Sequence, residues 1–176
     1  MAVWAPREEG ALLMRGNVSQ TAILRPARPE DAGQIAACVA AAYQHYIPLI
    51  GRPPGPMLDD YGQVIRQHQV FVAEQQCQVV GVIVLILKGR GILLDNVAVH
   101  PAQQGQGLGG QLITLAEAES RRQGFTQLDL YTHESMTENI AMYKRLGYFE
   151  TERRTERGYQ RVYMRKVLSS SDRNQE

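Results

Sequence analysis

The sequence contains very little cysteine. Cys38 and Cys77 are the two cysteines among 176 residues, and they show neither metal-ligand spacing nor the pattern of a disulfide framework. We expect Cys38 to lie in a helix core and Cys77 in a hairpin turn, in a protein suited to a reducing cytoplasm. The sequence therefore predicts no metal site.

The sequence also lacks an excess of either charge. It has 19 Lys plus Arg and 18 Asp plus Glu, which gives a formal net charge of +1. Proteins that bind nucleic acid in bulk carry a clear basic excess. We therefore expect no nucleic-acid partner.

Long apolar runs are absent as well. The longest, residues 79–87, has the length of a buried strand and is too short to cross a bilayer. Residues 1–20 contain no apolar core typical of an export signal, so we expect a cytoplasmic protein with no membrane contact. Hydrophobic residues make up 44% of the chain, which favours a globular fold over disorder.

The pattern of elements indicates one α/β domain over residues 21–167, between an N-terminal extension (1–20) and a polar tail (168–176). The predicted elements are a strand (21–27), a helix (29–46), a proline-rich loop (47–57), a helix (58–68), strands (70–74, 79–88 and 92–99), a helix to about 123, a strand (127–132), a helix opened by a Ser135–Glu138 capping box and ended by Gly147, and a hairpin (149–154 and 160–166). The strand at 127–132 follows a crossover helix and should run parallel to its predecessor.

A glycine-rich stretch follows the strand that ends at Val99. Gly105, Gly107, Gly109 and Gly110 remove four side chains just before an amphipathic helix. Glycine lets backbone N–H groups approach a ligand, and a helix N-terminus attracts anions. The stretch therefore predicts a site for phosphate or pyrophosphate, although a tight turn alone would also use glycine.

Three phosphate-binding loops fit this stretch to different degrees. The P-loop requires Lys followed by Ser or Thr, and that pair is missing here. The dinucleotide fingerprint G-x-G-x-x-G is met by Gly105, Gly107 and Gly110, with Asp129 as a possible ribose-binding acid. Its first glycine normally follows the strand directly, whereas five residues intervene here. A third pattern, Q/R-x-x-G-x-G/A, is met by Gln104, Gly107 and Gly109.

This third loop resembles the acetyl-CoA loop of the GCN5-related N-acetyltransferase (GNAT) family. Residues 139–148 look like the late helix of that family, which commonly ends Tyr-x-x-Leu-Gly-Phe/Tyr. The order of elements over residues 21–166 is similar too. The resemblance implies a mixed, mostly antiparallel twisted sheet flanked by helices, with a parallel pair of strands splayed around the cofactor. Many members carry Asn where this chain has Met136, so Asn139 is expected to serve instead.

The resemblance implies an enzyme that moves an acetyl group from acetyl-CoA to a primary amine, which would be a peptide N-terminus, a lysine or a small molecule. It would act as a monomer or homodimer. The predicted cofactor-binding residues are Val97, Ala98, Val99, Gln104, Gly105, Gln106, Gly107, Leu108, Gly109, Gly110, Asn139 and Tyr143.

The resemblance also implies catalytic roles. Tyr143 matches the family tyrosine that assists the leaving thiolate, although a core aromatic is the alternative. Asp95 is the candidate base, because many members carry Glu near this position. A local hydrogen bond at a strand end is an equal alternative for it, and Asn96 and His133 are other candidates. The predicted substrate-binding residues are Tyr43, Tyr46, Asp60 and His133.

Two other functions remain open from the sequence alone. A non-catalytic sensor of acyl-CoA would keep the glycine loop but would need neither Tyr143 nor Asp95. A nucleotide-binding protein that uses NAD would explain the fingerprint glycines but not the late helix.

Overall fold

The computed structural model describes residues 21–89 and 91–168, which build one seven-stranded sheet with helices on both faces. The strands are β1 (Ile23–Pro26), β2 (Gln69–Gln75), β3 (Gln78–Lys88), β4 (Gly91–Val99), β5 (Gln127–His133), β6 (Phe149–Glu156) and β7 (Tyr159–Val167). The helices are α1 (Ala32–Tyr43), α2 (Ile47–Ile50), α3 (Tyr61–Gln67), α4 (Leu108–Arg122) and α5 (Thr137–Arg145). The predicted extension and all but the first residue of the predicted tail lie outside the described residues.

The sheet has the strand order β1-β2-β3-β4-β5-β7-β6. Neighbouring strands are antiparallel except β4 and β5, which are parallel because α4 crosses between them. The parallel ladder is short: it pairs 92–94 with 128–130, and both strands then continue without further pairing to each other. The predicted mixed sheet with a splayed parallel pair is confirmed.

A bulge distorts β4 just where this ladder ends. On the β3 side, Leu85 faces Leu94 and Val84 faces Asn96, so Asp95 has no register partner on β3. A bulge places two residues of one strand opposite one of the other and bends the strand. It therefore adds to the separation of β4 from β5.

Two apolar cores cover the two faces of the sheet. The side chains of α4 and α5 pack on one face, and those of α1 and α3 pack on the other. The first core contains Leu94, Val97, Val99, Leu108, Leu112, Leu128, Leu130 and Tyr143, and the second contains Ile35, Cys38, Tyr43, Tyr61, Val82, Leu93, Ala98 and Tyr131, among others. Cys38 is buried as expected, and Cys77 lies exposed in the turn between β2 and β3.

The capping box predicted at Ser135 and Glu138 is wrong. The helix begins at Thr137, and its N-cap, Met136, makes no side-chain cap among the described residues. The backbone N–H of Ser135 donates instead to Nδ1 of His133, and the N–H of Met136 donates to the His133 carbonyl. This turn delays the start of the helix.

The chain between α1 and α3 is also more regular than the predicted loop. A 3-10 turn (Gln44–Tyr46) leads into α2, which stops at Gly51 in the left-handed region, at φ 79°. Asp60 then caps α3, because its side chain accepts from the N–H of Gln63. Local capping, more than apolar spacing, sets these boundaries.

No helix within the described residues is long and apolar enough to cross a membrane.

A nearly buried carboxylate joins α4 to the C-terminal half of the sheet. Glu117 accepts from Nζ of Lys166 on β7 at 2.8 Å and from the hydroxyl of Tyr148 at 3.3 Å. Arg121 lies 3.6 Å away, one helical turn later. The Glu117 side chain is only 10% exposed, so solvent screens these interactions weakly.

We predict that Glu117→Ala lowers the free energy of unfolding by about 1–3 kcal/mol, because Lys166 and Tyr148 lose a partly buried partner. Glu119→Ala is the matched control on the same helix. Its partner Arg122 is 71% exposed, so solvent screens that pair and the loss there should be smaller. Urea unfolding measures both, and equal losses would contradict the role of Glu117.

Candidate active site

The glycine loop after β4 is shaped by its own side chains. Nε2 of Gln104 donates to the carbonyl of Val99 at 2.9 Å, which ties the loop back to the end of the strand. Gly105 and Gly107 have φ values of +73° and +82°, a region that side chains disfavour. Glycine is therefore required at these two positions by the backbone itself.

The N-terminus of α4 is open to an anion. Gly107 is the N-cap, and among the described residues no side chain caps the helix and no acidic residue lies in its first turn. The first N–H groups of a helix lack intrahelical partners and carry partial positive charge. An added Cβ at Gly110 would meet nothing within 4 Å, and one at Gly109 would lie 3.8 Å from Val99. A ligand can therefore come close to the backbone at these two positions.

Tyr143 lies in the first apolar core, which also contains Leu94 and Leu130 at the end of the parallel ladder. Its side chain is fully buried, and its hydroxyl has no hydrogen-bond partner among the described residues. The ring packs edge-on against Tyr148, with centroids 5.6 Å apart. Burial, followed by the influence of Tyr46, raises the pKa of Tyr143 above its ordinary value. The phenol therefore keeps its proton at neutral pH and retains an unused donor.

Asn139 and Met136 precede Tyr143 in the chain. Asn139 is fully buried one helical turn before Tyr143, so the two side chains share a face of α5. Met136 is 1% exposed, packs in the core beneath α1, and accepts from the hydroxyl of Thr132 through its sulfur at 3.5 Å. Its apolar surroundings explain why a methionine is accommodated at this point.

Asp95 and Asn96 on the bulge have different surroundings. Oδ1 of Asp95 accepts from the hydroxyl of Tyr131 at 2.8 Å, a contact that sequence reasoning did not find. Desolvation and then the charge of Asp95 raise the pKa of Asp59, which places two carboxylates on this side of the sheet. Asn96 is fully buried.

The hydrogen bonds around Asn96 have one possible direction. The Tyr61 hydroxyl donates its single proton to the Pro56 carbonyl at 2.8 Å, so it accepts from Nδ2 of Asn96 at 2.9 Å. The amide oxygen of Asn96 then faces Tyr43, whose hydroxyl donates to it at 2.8 Å and lies 3.2 Å from the Val97 carbonyl. Asn96 is therefore committed to holding the strand, which argues against it as a base.

The four predicted substrate-binding residues are not equivalent. Tyr43 and Tyr46 are buried, and burial together with the charge of Glu138 raises the pKa of Tyr46 to about 12. Asp60 is exposed and caps α3. His133 is 6% exposed, and burial lowers its pKa. Its Nδ1 accepts from a backbone N–H, so the neutral ring carries its proton on Nε2.

The turn between β6 and β7 contacts the loop between α2 and α3. The hydroxyl of Tyr159 donates to the carbonyl of Pro53 at 2.7 Å. The guanidinium carbon of Arg52 lies 3.9 Å from the centroid of the same ring, a cation–π distance. Sequence reasoning missed this contact because the partners are 106 residues apart.

Residues 66–150 match the family model described as "Acetyltransferase (GNAT) domain", a span that holds the glycine loop, Asp95 and Tyr143. This part of the chain belongs to the GNAT family. A comparison with curated proteins finds no match.

Solved structures share the GNAT fold of this chain. The ribosomal-protein-S18-alanine N-acetyltransferase of Escherichia coli is 19% identical, with a TM-score of 0.70 over 88% of this chain and 99% of that one. The PaiA N-acetyltransferase of Thermoplasma acidophilum, in complex with coenzyme A, is 15% identical, with a TM-score of 0.70 over 84% and 99%. A GNAT family acetyltransferase of Elizabethkingia anophelis with acetyl-CoA bound is 19% identical, with a TM-score of 0.61 over 85% and 100%.

We predict that Gly109→Glu weakens binding of acetyl-CoA at least about 100-fold, or roughly 2.8 kcal/mol, because a carboxylate would face the pyrophosphate at the helix N-terminus. Gly109→Ala is the control, since its Cβ makes an ordinary contact and alanine favours a helix. Calorimetry gives both affinities. Wild-type affinity in a folded Glu variant would show that the loop does not hold the cofactor.

Proposed function

We propose that this GNAT protein is an N-acetyltransferase that moves the acetyl group of acetyl-CoA to a primary amine. The observation that carries the proposal is the buried Tyr143 hydroxyl, which has no partner among the described residues and lies in the core that also contains Leu94 and Leu130, the last pair of the parallel ladder. A buried polar group without a partner is costly, and such groups concentrate at sites that are completed by a ligand. The solved GNAT structures with coenzyme A or acetyl-CoA support the choice of cofactor.

The cofactor would lie along β4 and across the start of α4. Backbone amides of residues 105–110 would bind the pyrophosphate, with Gln104 holding the loop in shape. The peptide-like pantetheine would pair with Val97, Ala98 and Val99. The parallel ladder ends before these residues, so it leaves the β5 side of their backbone open. Asn139 would contact it from α5. Acetyl-CoA supplies a thioester, which an amine can attack directly.

Asp95 is proposed to accept a proton from the acceptor ammonium, directly or through water. An amine of pKa about 10.4 is mostly charged at neutral pH and is then not nucleophilic. A positioned carboxylate speeds the reaction by removing the proton as the amine attacks. The hydrogen bond from Tyr131 to Asp95 holds the carboxylate at the closed end of the gap between β4 and β5.

Tyr143 is proposed to assist departure of the thiolate. A thiol of pKa about 8.5 and a phenol of pKa about 10 already make full proton transfer unfavourable. Burial raises the pKa of Tyr143 further, so transfer becomes still less favourable. Tyr143 would therefore act mainly by donating a hydrogen bond to the developing charge.

Calorimetry with acetyl-CoA and with NAD, combined with a screen of free CoA release, tests the proposal. The amines should include peptide N-termini, lysine peptides and small molecules. We expect saturable binding of acetyl-CoA, no binding of NAD and CoA release with at least one amine. Tight binding without transfer to any amine would support a sensor instead, and binding of NAD alone would contradict the choice of cofactor.

We predict that Tyr143→Phe lowers kcat by about 10²- to 10⁴-fold with little change in acetyl-CoA affinity, because the hydroxyl acts on charge that develops during the reaction. The ring and its contact with Tyr148 remain, so the fold should survive. Single-turnover kinetics are required where product release limits kcat. A wild-type single-turnover rate would make Tyr143 a packing residue.

We predict that Asp95→Asn lowers kcat/KM for the amine by about 10²-fold, because an amide does not accept the proton. The loss should be greatest at low pH, where the amine is most fully charged. Glu152→Gln is the control, since Glu152 is 52% exposed on the edge strand β6 and pairs there with the exposed Arg154. pH–rate profiles of both variants decide the matter, and a superimposable profile for Asp95→Asn would remove it from the mechanism.

A further inference from the structure

Tyr131 and Asp95 meet at the fork between β4 and β5. The parallel ladder ends with Leu94 opposite Leu130, and the next residue on each strand is Asp95 and Tyr131. The Tyr131 hydroxyl donates to Oδ1 of Asp95 at 2.8 Å. This side-chain hydrogen bond continues the link between the strands for one more residue, at the closed end of the gap.

Both side chains reach the same face through the alternation of their strands. On β5, Leu128 and Leu130 point into the core beneath α4, so Tyr131 turns toward the other face. On β4, Leu93 lies in the second core and Leu94 in the first, so the alternation turns Asp95 toward the side of Tyr131. The bulge then keeps Asn96 on this face as well, where it contacts Tyr43 and Tyr61.

The Tyr131 ring is held from two sides. It is 6% exposed, the guanidinium carbon of Arg161 lies 4.0 Å from its centroid, and the ring of Tyr163 lies 5.8 Å away. A ring with a cation on its face and an aromatic neighbour has little freedom to turn. Its hydroxyl is consequently aimed at Asp95.

The charges around the pair favour this direction of donation. Burial and then the Asp95 carboxylate raise the pKa of Tyr131, so the phenol keeps its proton and remains the donor. Asp59 and Tyr61 face the pair from the start of α3, and Arg161 faces it from β7. Because Asp59 carries the same charge as Asp95, a neutral donor can bind the Asp95 oxygen without adding repulsion.

We propose that Tyr131 is a positioning residue for acetyl transfer, which holds the carboxylate of Asp95 at the fork where the acceptor amine must lose its proton. The inference rests on the proposed function, in which Asp95 is the base. One proton passes from the ammonium nitrogen to Asp95, and the neutral amine then forms a C–N bond to the thioester carbonyl carbon. The C–S bond breaks, the thiolate takes the second proton of the former ammonium group, and Asp95 returns its proton to solvent.

A double-mutant cycle tests this role. Tyr131→Phe should lower kcat/KM for the amine about 10-fold and leave the affinity for acetyl-CoA unchanged, because it removes one hydrogen bond to the base and keeps the ring. In the Asp95→Asn background the same change should have an effect of less than about 3-fold, since there is no base left to position. The expected double variant thus resembles Asp95→Asn alone.

Tyr163→Phe is the matched control. It also removes one phenol hydroxyl from the same face of the sheet, but that hydroxyl donates to Glu156. We expect its kcat/KM to stay within about twofold of wild type, because the change keeps the ring that packs on Tyr131 and removes a hydroxyl that bonds Glu156 and not Asp95. Circular dichroism of all five proteins shows whether each is folded.

The outcomes separate the two proposals. CoA release by the wild type with additive losses in the cycle would overturn the role of Tyr131 and leave the proposed function standing. An equal loss of kcat/KM in Tyr163→Phe would also overturn it, because removal of any phenol hydroxyl from this face would then have the same effect. A wild type that transfers to no amine would overturn the proposed function and the role of Tyr131 with it.

Discussion

The short parallel ladder between β4 and β5 is the constraint on which the site depends. Three pairs hold the strands together, and the bulge at Asp95 then bends β4 away from its neighbour. A sheet cannot normally leave a central strand edge unpaired without a ligand or water to satisfy its backbone groups. The gap is therefore both the weak point of the sheet and the place where an extended, peptide-like molecule fits.

The buried tyrosines around this gap differ in how their hydroxyls are used. The protons of Tyr43, Tyr61 and Tyr131 are donated to Asn96, Pro56 and Asp95, so these phenols stabilise the walls. The buried hydroxyl of Tyr143, in contrast, has no hydrogen-bond partner among the described residues. This division explains how so many polar groups can be buried in one place while the Tyr143 donor stays available to a ligand.

The sequence allowed the fold and the cofactor loop to be predicted because both have local signals. Four glycines in six positions, the Gln104 pattern and the apolar spacing of the helices are read within short windows. The failed capping box shows the limit of such windows: Ser135 has the right spacing to Glu138, but the His133 ring takes its backbone N–H. A turn closed by the last residue of the preceding strand, only two positions earlier, replaced the predicted cap.

The contacts of Asp95 and Asn96 had no such signal. Tyr131 and Asp95 are 36 residues apart, and they meet because β4 and β5 pair in one particular register. Asn96 and Tyr61 are 35 apart and lie on elements that meet only in the folded sheet. Side-chain roles at this site follow from register, and a one-residue change of register turns each side chain to the opposite face.

Three hydrogen bonds run in one direction, from Tyr43 to Asn96, from Asn96 to Tyr61 and from Tyr61 to Pro56. They connect α1, β4 and the loop before α3 to one another. A change in the length of that loop would withdraw the Pro56 carbonyl and leave a buried hydroxyl proton without an acceptor. Redesign of this region is therefore better directed at its exposed side chains, such as Leu49 and Leu58, than at its backbone. The scaffold tolerates new surfaces there more readily than new loops.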